Sequence, residues 1–173
     1  WVFIDWADMN NEGETSFEQI LFTETLKRFG EITEILGKGN KEYYEELANE
    51  LLKKTVEVFW KDGKFVHGRR NGVLDEKVTK YANMFAVMFN LLDEEKTQSV
   101  IKNVLLNDEV QKISTPYMRF YEYTTLCKIK EDYNIVKEIK DYWGGMLAHG
   151  ATTFWEAFNT EEQGVEKYAM YGR

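Results

Sequence analysis

The run Gly150-Ala151-Thr152-Thr153-Phe154-Trp155-Glu156 sets one carboxylate directly behind two aromatic rings. Rings that shield a carboxylate from water disfavour its charged form and raise its pKa, which readies it for general acid or base work. Aromatic faces also suit a sugar, which offers C–H surfaces to stack and hydroxyls to hydrogen-bond. The bland alternative is a Trp155 that anchors a helix start with a solvated Glu156 behind it. Asp5, between Ile4 and Trp6 at the end of the apolar opening Trp1-Val2-Phe3-Ile4, is the second candidate acid. Asp8, Glu12 and Glu14 stand in polar surroundings and read as a solvated loop. Trp60, Phe65 and Tyr81 either line a cleft or pack a core, and Trp143 with Met146 reads as packing under a glycine-rich loop. A cleft of carboxylates and aromatics is what glycoside hydrolysis uses, with an acid and a base or nucleophile on either side of a saccharide bond.

Other chemistries lack their residues. There is no Gly-x-Ser-x-Gly elbow, no phosphate-binding loop and no dinucleotide fingerprint. His67 and His149 are the only histidines, and neither has the spacing of a metal ligand pair, so no metal or cofactor is expected. The single Cys127 excludes an intrachain disulfide and reads as a buried structural thiol. A net charge of −8 argues against nucleic acid, and Arg69-Arg70 is too small a basic cluster to reverse that. No apolar run approaches the roughly 20 residues that span a bilayer. The compartment cannot be read from the chain. Its abrupt opening on Trp1 and its close on Gly172-Arg173 suggest a piece of a longer protein.

Six segments with apolar residues recurring at three and four predict helices. They run from about Ser16 to Leu36, Lys41 to Trp60, Asp75 to Leu92, Glu94 to Leu106, from near Thr115 with Pro116 in the first turn, and from Tyr133 to Trp143. Ser16 is the expected cap of the first. Tight turns at Gly37-Lys38-Gly39-Asn40, Asp93 and Glu131-Asp132 alternate with long connections over 61–74, 107–114 and 144–153. Short-then-long alternation marks successive αα-hairpins, with the long connections at one end. Asp5-Trp6, the loop after Trp60, and Trp155-Glu156 would then share that end, on loops where sites are usually built. The expected fold is all-α: about three αα-hairpins, part of an (α/α)6 toroid, in a single segment over residues 1–173. Unequal hairpin spacing disfavours a regular solenoid.

With Trp143-Gly144-Gly145-Met146, the Gly-Ala-Thr-Thr-Phe-Trp-Glu run, Asp5-Trp6 and Thr115-Pro116-Tyr117 in this order, the chain resembles the six-hairpin catalytic domain of bacterial α-L-rhamnosidases, glycoside hydrolase family seventy-eight. The resemblance implies inverting hydrolysis of terminal α-L-rhamnose, with Glu156 as the general base. It implies substrate contacts from Asp5, Trp6, Trp60 and Trp155, and a rhamnose-containing glycoside as partner. The family's general acid lies upstream of Trp1 and a His-containing part of the site lies beyond Arg173, so the expected further partner is the remainder of the catalytic domain. The chain alone is expected to be inactive and to expose apolar helix faces. Two other readings stay open: an α/α-toroid glycosidase of different sugar specificity, and a non-enzymatic helical scaffold.

Overall fold

The computed structural model describes residues 4–10 and 12–159, so the opening Trp1-Val2-Phe3 and the closing Gly172-Arg173 lie outside the described residues. The chain forms two compact units: Trp1–Ile4 with Met9–Gln111, and Asp5–Asp8 with Lys112–Arg173. Helix dominates both.

In the first unit a two-residue strand β1 (Glu14–Thr15) leads directly into α1 (Ser16–Ile35). The cap is Thr15 rather than Ser16. Thr15 Oγ1 accepts the Glu18 amide at 3.4 Å and donates to Glu18 Oε2 at 3.2 Å, which places Glu18 at the third helical position of a capping box. The Ser16 hydroxyl is engaged elsewhere, donating to Val66 O at 2.7 Å. Gly37, Gly39 and Asn40, all at positive φ, turn the chain into α2 (Lys41–Phe59). The two helices approach closely at Gly30, where a Cβ would stand 3.2 Å from the Lys41 carbonyl oxygen and 3.3 Å from Tyr44 Cβ. The buried positions of α1 include Phe17, Ile20 and Leu26, whereas Phe29, Ile32 and Ile35 are exposed apolar residues.

The expected loop over 61–74 is instead two β-hairpins. Strand β2 (Trp60–Lys61) pairs antiparallel with β3 (Lys64–Phe65) across Asp62-Gly63, and β4 (Gly68–Arg70) pairs with β5 (Val73–Asp75) across Asn71-Gly72. All four turn residues have positive φ, between 47° and 79°, the conformation that two-residue hairpin turns require. β4 pairs with β1 on its other side, making a three-stranded sheet. Asp75 is therefore spent in a strand, and the third helix, α3 (Lys80–Met88), starts later than its apolar spacing predicts. Its residues from Lys80 to Val87 are all buried, and Phe17 of α1 packs its ring on Phe85 at 5.2 Å. Asn83 replaces missing backbone partners by bonding both the amide and the carbonyl of Phe65. Helix α4 (Glu94–Val100), capped by Asp93, continues through a π-helical turn at Ile101–Leu105, matching the predicted span.

The second unit pairs α5 (Pro116–Lys128) with α6 (Asp132–Ala148). Pro116 occupies the first turn of α5 behind Thr115, where a missing N–H costs nothing. Helix α6 runs on past Trp143 to Ala148, so Gly144-Gly145 is helical and the last long connection begins only at His149. Two apolar clusters hold the unit together. Tyr123, Leu126 and Ile135 form one, and Tyr142, Met146 and Phe158 the other, with Trp143 touching both. Cys127 is exposed, against the expectation of a buried thiol, because Tyr123 and Leu126 define the inward side of α5. Between the helices Arg119, only 3% exposed, donates from Nη1 to Glu122 and Glu138 at 3.0 Å each, and its guanidinium lies 4.9 Å from the Tyr142 ring centre. Among the described residues no helix is long and apolar enough to cross a membrane.

Candidate active site

The second unit brings two of the sequence-predicted residues into direct contact. Trp6 Nε1 donates to Glu156 Oε1 at 2.9 Å across 150 residues of sequence. The carboxylate is not shielded as the sequence suggests: Glu156 is exposed, and Phe154 is 78% exposed and points to solvent. The loop carries no helix start here, so the Phe154 ring, two residues before Glu156, turns outward. What holds the exposed acid is therefore an indole N–H. The Trp6 ring is itself 49% exposed, an apolar face beside a carboxylate.

The segment carrying Trp6 is fixed at two points. Asp5, 6% exposed, accepts the Thr115 hydroxyl at 2.8 Å, and Ser114 Oγ donates to the Trp6 carbonyl at 3.0 Å. The loop carrying Glu156 is fixed by Phe158. Its amide donates to Ser114 O at 2.8 Å, and its ring fills the notch left by Gly145, where a Cβ would stand 2.7 Å from Phe158 Cε1. Ser114 O also accepts the Tyr142 hydroxyl at 2.5 Å. Burial pushes the Tyr142 phenol above its ordinary value in spite of the neighbouring Arg119 charge. Burial pulls on Arg119 in the opposite sense, but Glu122, Glu138 and the surrounding tyrosines hold it above the usual guanidinium value.

Trp155 is half-buried, with its ring 5.8 Å from Phe158, so it anchors the loop on the cluster around Tyr142. Just before it, Thr152, Thr153 and Phe154 close a pocket of about 450 Å³ with Trp143, Met146, Leu147 and Ala151. Trp60 belongs to the first unit, at the end of α2, half-buried with its ring 5.0 Å from and nearly perpendicular to that of Phe65. Phe65 and Tyr81 are core residues. The Arg69-Arg70 pair is neutralised, Arg69 by Glu14 at 2.6 Å and Arg70 by Glu12. His67 Nε2 bonds the Asn10 carbonyl at 2.6 Å, and His149 Nδ1 bonds that of Gly145 at 2.7 Å. Among the described residues no group of three His, Cys, Asp or Glu side chains could hold a metal. Ser114, Tyr142 and Phe158 are the positions that motif reading passes over. A helical glycine such as Gly145, which costs about 1 kcal/mol relative to Ala, was the available sign of a close packing partner.

Residues 1–172 match the bacterial alpha-L-rhamnosidase 6 hairpin glycosidase domain. The chain belongs to that family. The fold of this rhamnosidase-family chain is also that of a solved structure, the GH78 family rhamnosidase of Bacillus sp. GL1. The TM-score is 0.82 at 20% identity, over 95% of this chain and 18% of the other. The chain thus spans less than a fifth of the length of that rhamnosidase. No curated protein matches the sequence.

Proposed function

We propose that this chain supplies the general base of a glycoside hydrolase that removes terminal α-L-rhamnose with inversion. Glu156 takes a proton from a water molecule as that water attacks the anomeric carbon, and the bond to the leaving oxygen breaks on the opposite face of the sugar. The proton on the leaving oxygen comes from a general acid outside this chain, in the remainder of the catalytic domain. An inverting pair stands about 6.5–9.5 Å apart to admit the water. The contact between Trp6 Nε1 and Glu156 Oε1 carries the reading: it leaves a solvent-facing carboxylate, oriented by one hydrogen bond, beside an exposed apolar ring.

Trp6 offers its face to the sugar, with Asp5 holding the same segment from beneath through Thr115. Trp155 supports the loop, and Trp60 is assigned a further substrate contact from the family likeness. Family membership and the shared fold support a glycosidase. The 18% coverage and the three helix pairs among the described residues, against six hairpins in the family description, support a site completed by further chain. The exposed apolar residues Phe22, Phe29 and Ile32 on α1, and Val136, Ile139 and Leu147 on α6, are suited to being covered by it.

The test is a panel of aryl glycosides given to the whole protein that carries this chain, with the released sugar followed by proton NMR. Cleavage of the α-L-rhamnoside with the β-anomer appearing first is expected. Cleavage of a different sugar overturns the rhamnose assignment, and first release of the α-anomer overturns inversion.

A further inference from the structure

We propose that Ser114 is a positioning residue, whose hydroxyl and carbonyl join the two segments of the site so that the Trp6 indole N–H meets the Glu156 carboxylate. The inference rests on the reading of Glu156 as the base. Four hydrogen bonds carry it. Ser114 Oγ donates to Trp6 O at 3.0 Å and so fixes the backbone of the N-terminal segment. Ser114 O accepts Phe158 N at 2.8 Å and so fixes the loop two residues beyond Glu156. The Tyr142 hydroxyl, donating to the same carbonyl at 2.5 Å, holds that oxygen from α6. The 2.9 Å contact from Trp6 Nε1 to Glu156 Oε1 then closes a ring through Trp6, Ser114, Phe158 and Glu156.

The ring matters because neither partner is held by burial. Glu156 is exposed and Trp6 is half exposed, so water competes for the polar atoms of both side chains. A hydrogen bond between two such groups survives only if the backbones that carry them are already in place. Ser114 contacts both backbones. Its neighbour Thr115 adds a parallel tie to Asp5, so the N-terminal segment is gripped on consecutive residues at the start of α5. A general base must sit within hydrogen-bond reach of its water, and small displacements of an oriented group lower turnover more than binding.

Substitution separates the two roles of Ser114. Ser114→Ala removes the hydroxyl and leaves the carbonyl, so the contacts to Phe158 and Tyr142 remain. In the whole protein, Ser114→Ala should lower kcat by about tenfold to a hundredfold with little change in KM, the range expected when the hydrogen bond from the Trp6 indole to the charged Glu156 carboxylate is lost along with the Ser114 tie. Ser114→Thr, which keeps the hydroxyl, should restore most of it. In a Trp6→Phe background, Ser114→Ala should cost nothing further, because coupled residues are not additive. The indole N–H resonance of Trp6 in ¹⁵N-tryptophan-labelled protein should move upfield in Ser114→Ala, toward its position in Glu156→Ala. Wild-type kcat in Ser114→Ala, or full additivity with Trp6→Phe, overturns the proposal. If Glu156→Gln keeps wild-type turnover, the base assignment falls instead, and the Trp6 resonance alone decides whether Ser114 holds the pair.

Discussion

A carboxylate can be readied for catalysis by burial or by orientation, and the base role proposed for Glu156 rests on orientation. The order Phe-Trp-Glu suggests shielding, yet only Trp155 turns inward, because Phe158 three residues later takes the buried place. That place exists because residue 145 has no side chain. Gly145→Ala would raise helix propensity, but its Cβ would meet Phe158 Cε1 at 2.7 Å, a contact that cannot persist. Overpacking prevails. The substitution should destabilise by about 1–3 kcal/mol in urea unfolding and lower kcat together with stability. Gly144→Ala, with no atom within 4 Å of its Cβ, should be neutral or stabilising in the same measurement. Equal effects of the two would show that Phe158 does not use the notch.

Elements were legible where periodicity is long and illegible where turn chemistry decides. Helices α1 and α4 begin within a residue of their predicted starts, because apolar spacing and a capping side chain agree there, and α2 does so on its apolar spacing after the Gly37–Asn40 turn, with no side-chain cap. The segment 61–74 carries Asp62-Gly63 and Asn71-Gly72, both strong hairpin signals, and a helix-oriented reading passes over them. Thr15 is similar: it sits three residues before Glu18, and the box is visible once the cap moves back by one. Thr15→Ala should cost about 0.5–2 kcal/mol in thermal or chemical unfolding, whereas Ser16→Ala should act through lost bonds to Val66 and His67. The α5–α6 pair rests on the buried Arg119 network. Arg119→Ala leaves Glu122 buried at 3% exposure without its cation, and should lose about 3–5 kcal/mol. Burial also keeps Tyr123 and Tyr142 protonated when folded, above the ordinary tyrosine value of about 10. The unfolded phenols ionise first as pH rises. Their contribution to stability is therefore whole below about pH 10 and is lost as pH climbs beyond it. Circular dichroism, read with phenolate absorbance, should show these two tyrosines ionising only as the helices melt.

At the scale of the whole molecule the helical class and the family came from residues spread along the chain in a fixed order, and the match over residues 1–172 agrees with them. The pairing of Trp6 with Glu156 was partly legible, since both fell among the expected site residues, but no local pattern links positions 150 residues apart. Ser114 and Tyr142 have no motif at all. They act through a backbone carbonyl and a hydroxyl, and any sequence could supply the former. The net charge of −8, with Arg69 and Arg70 already paired, suits a neutral sugar better than a polyanion. Everything proposed for this site turns on Glu156 as the base of a rhamnoside-cleaving enzyme. The most direct measurement is kcat for release of nitrophenol from an aryl α-L-rhamnoside, by the whole protein and by its Glu156→Gln variant, with folding checked by circular dichroism. Turnover in the parent and a loss of about 10²–10⁴ in a fully folded variant are expected. Turnover undiminished in Glu156→Gln would contradict it.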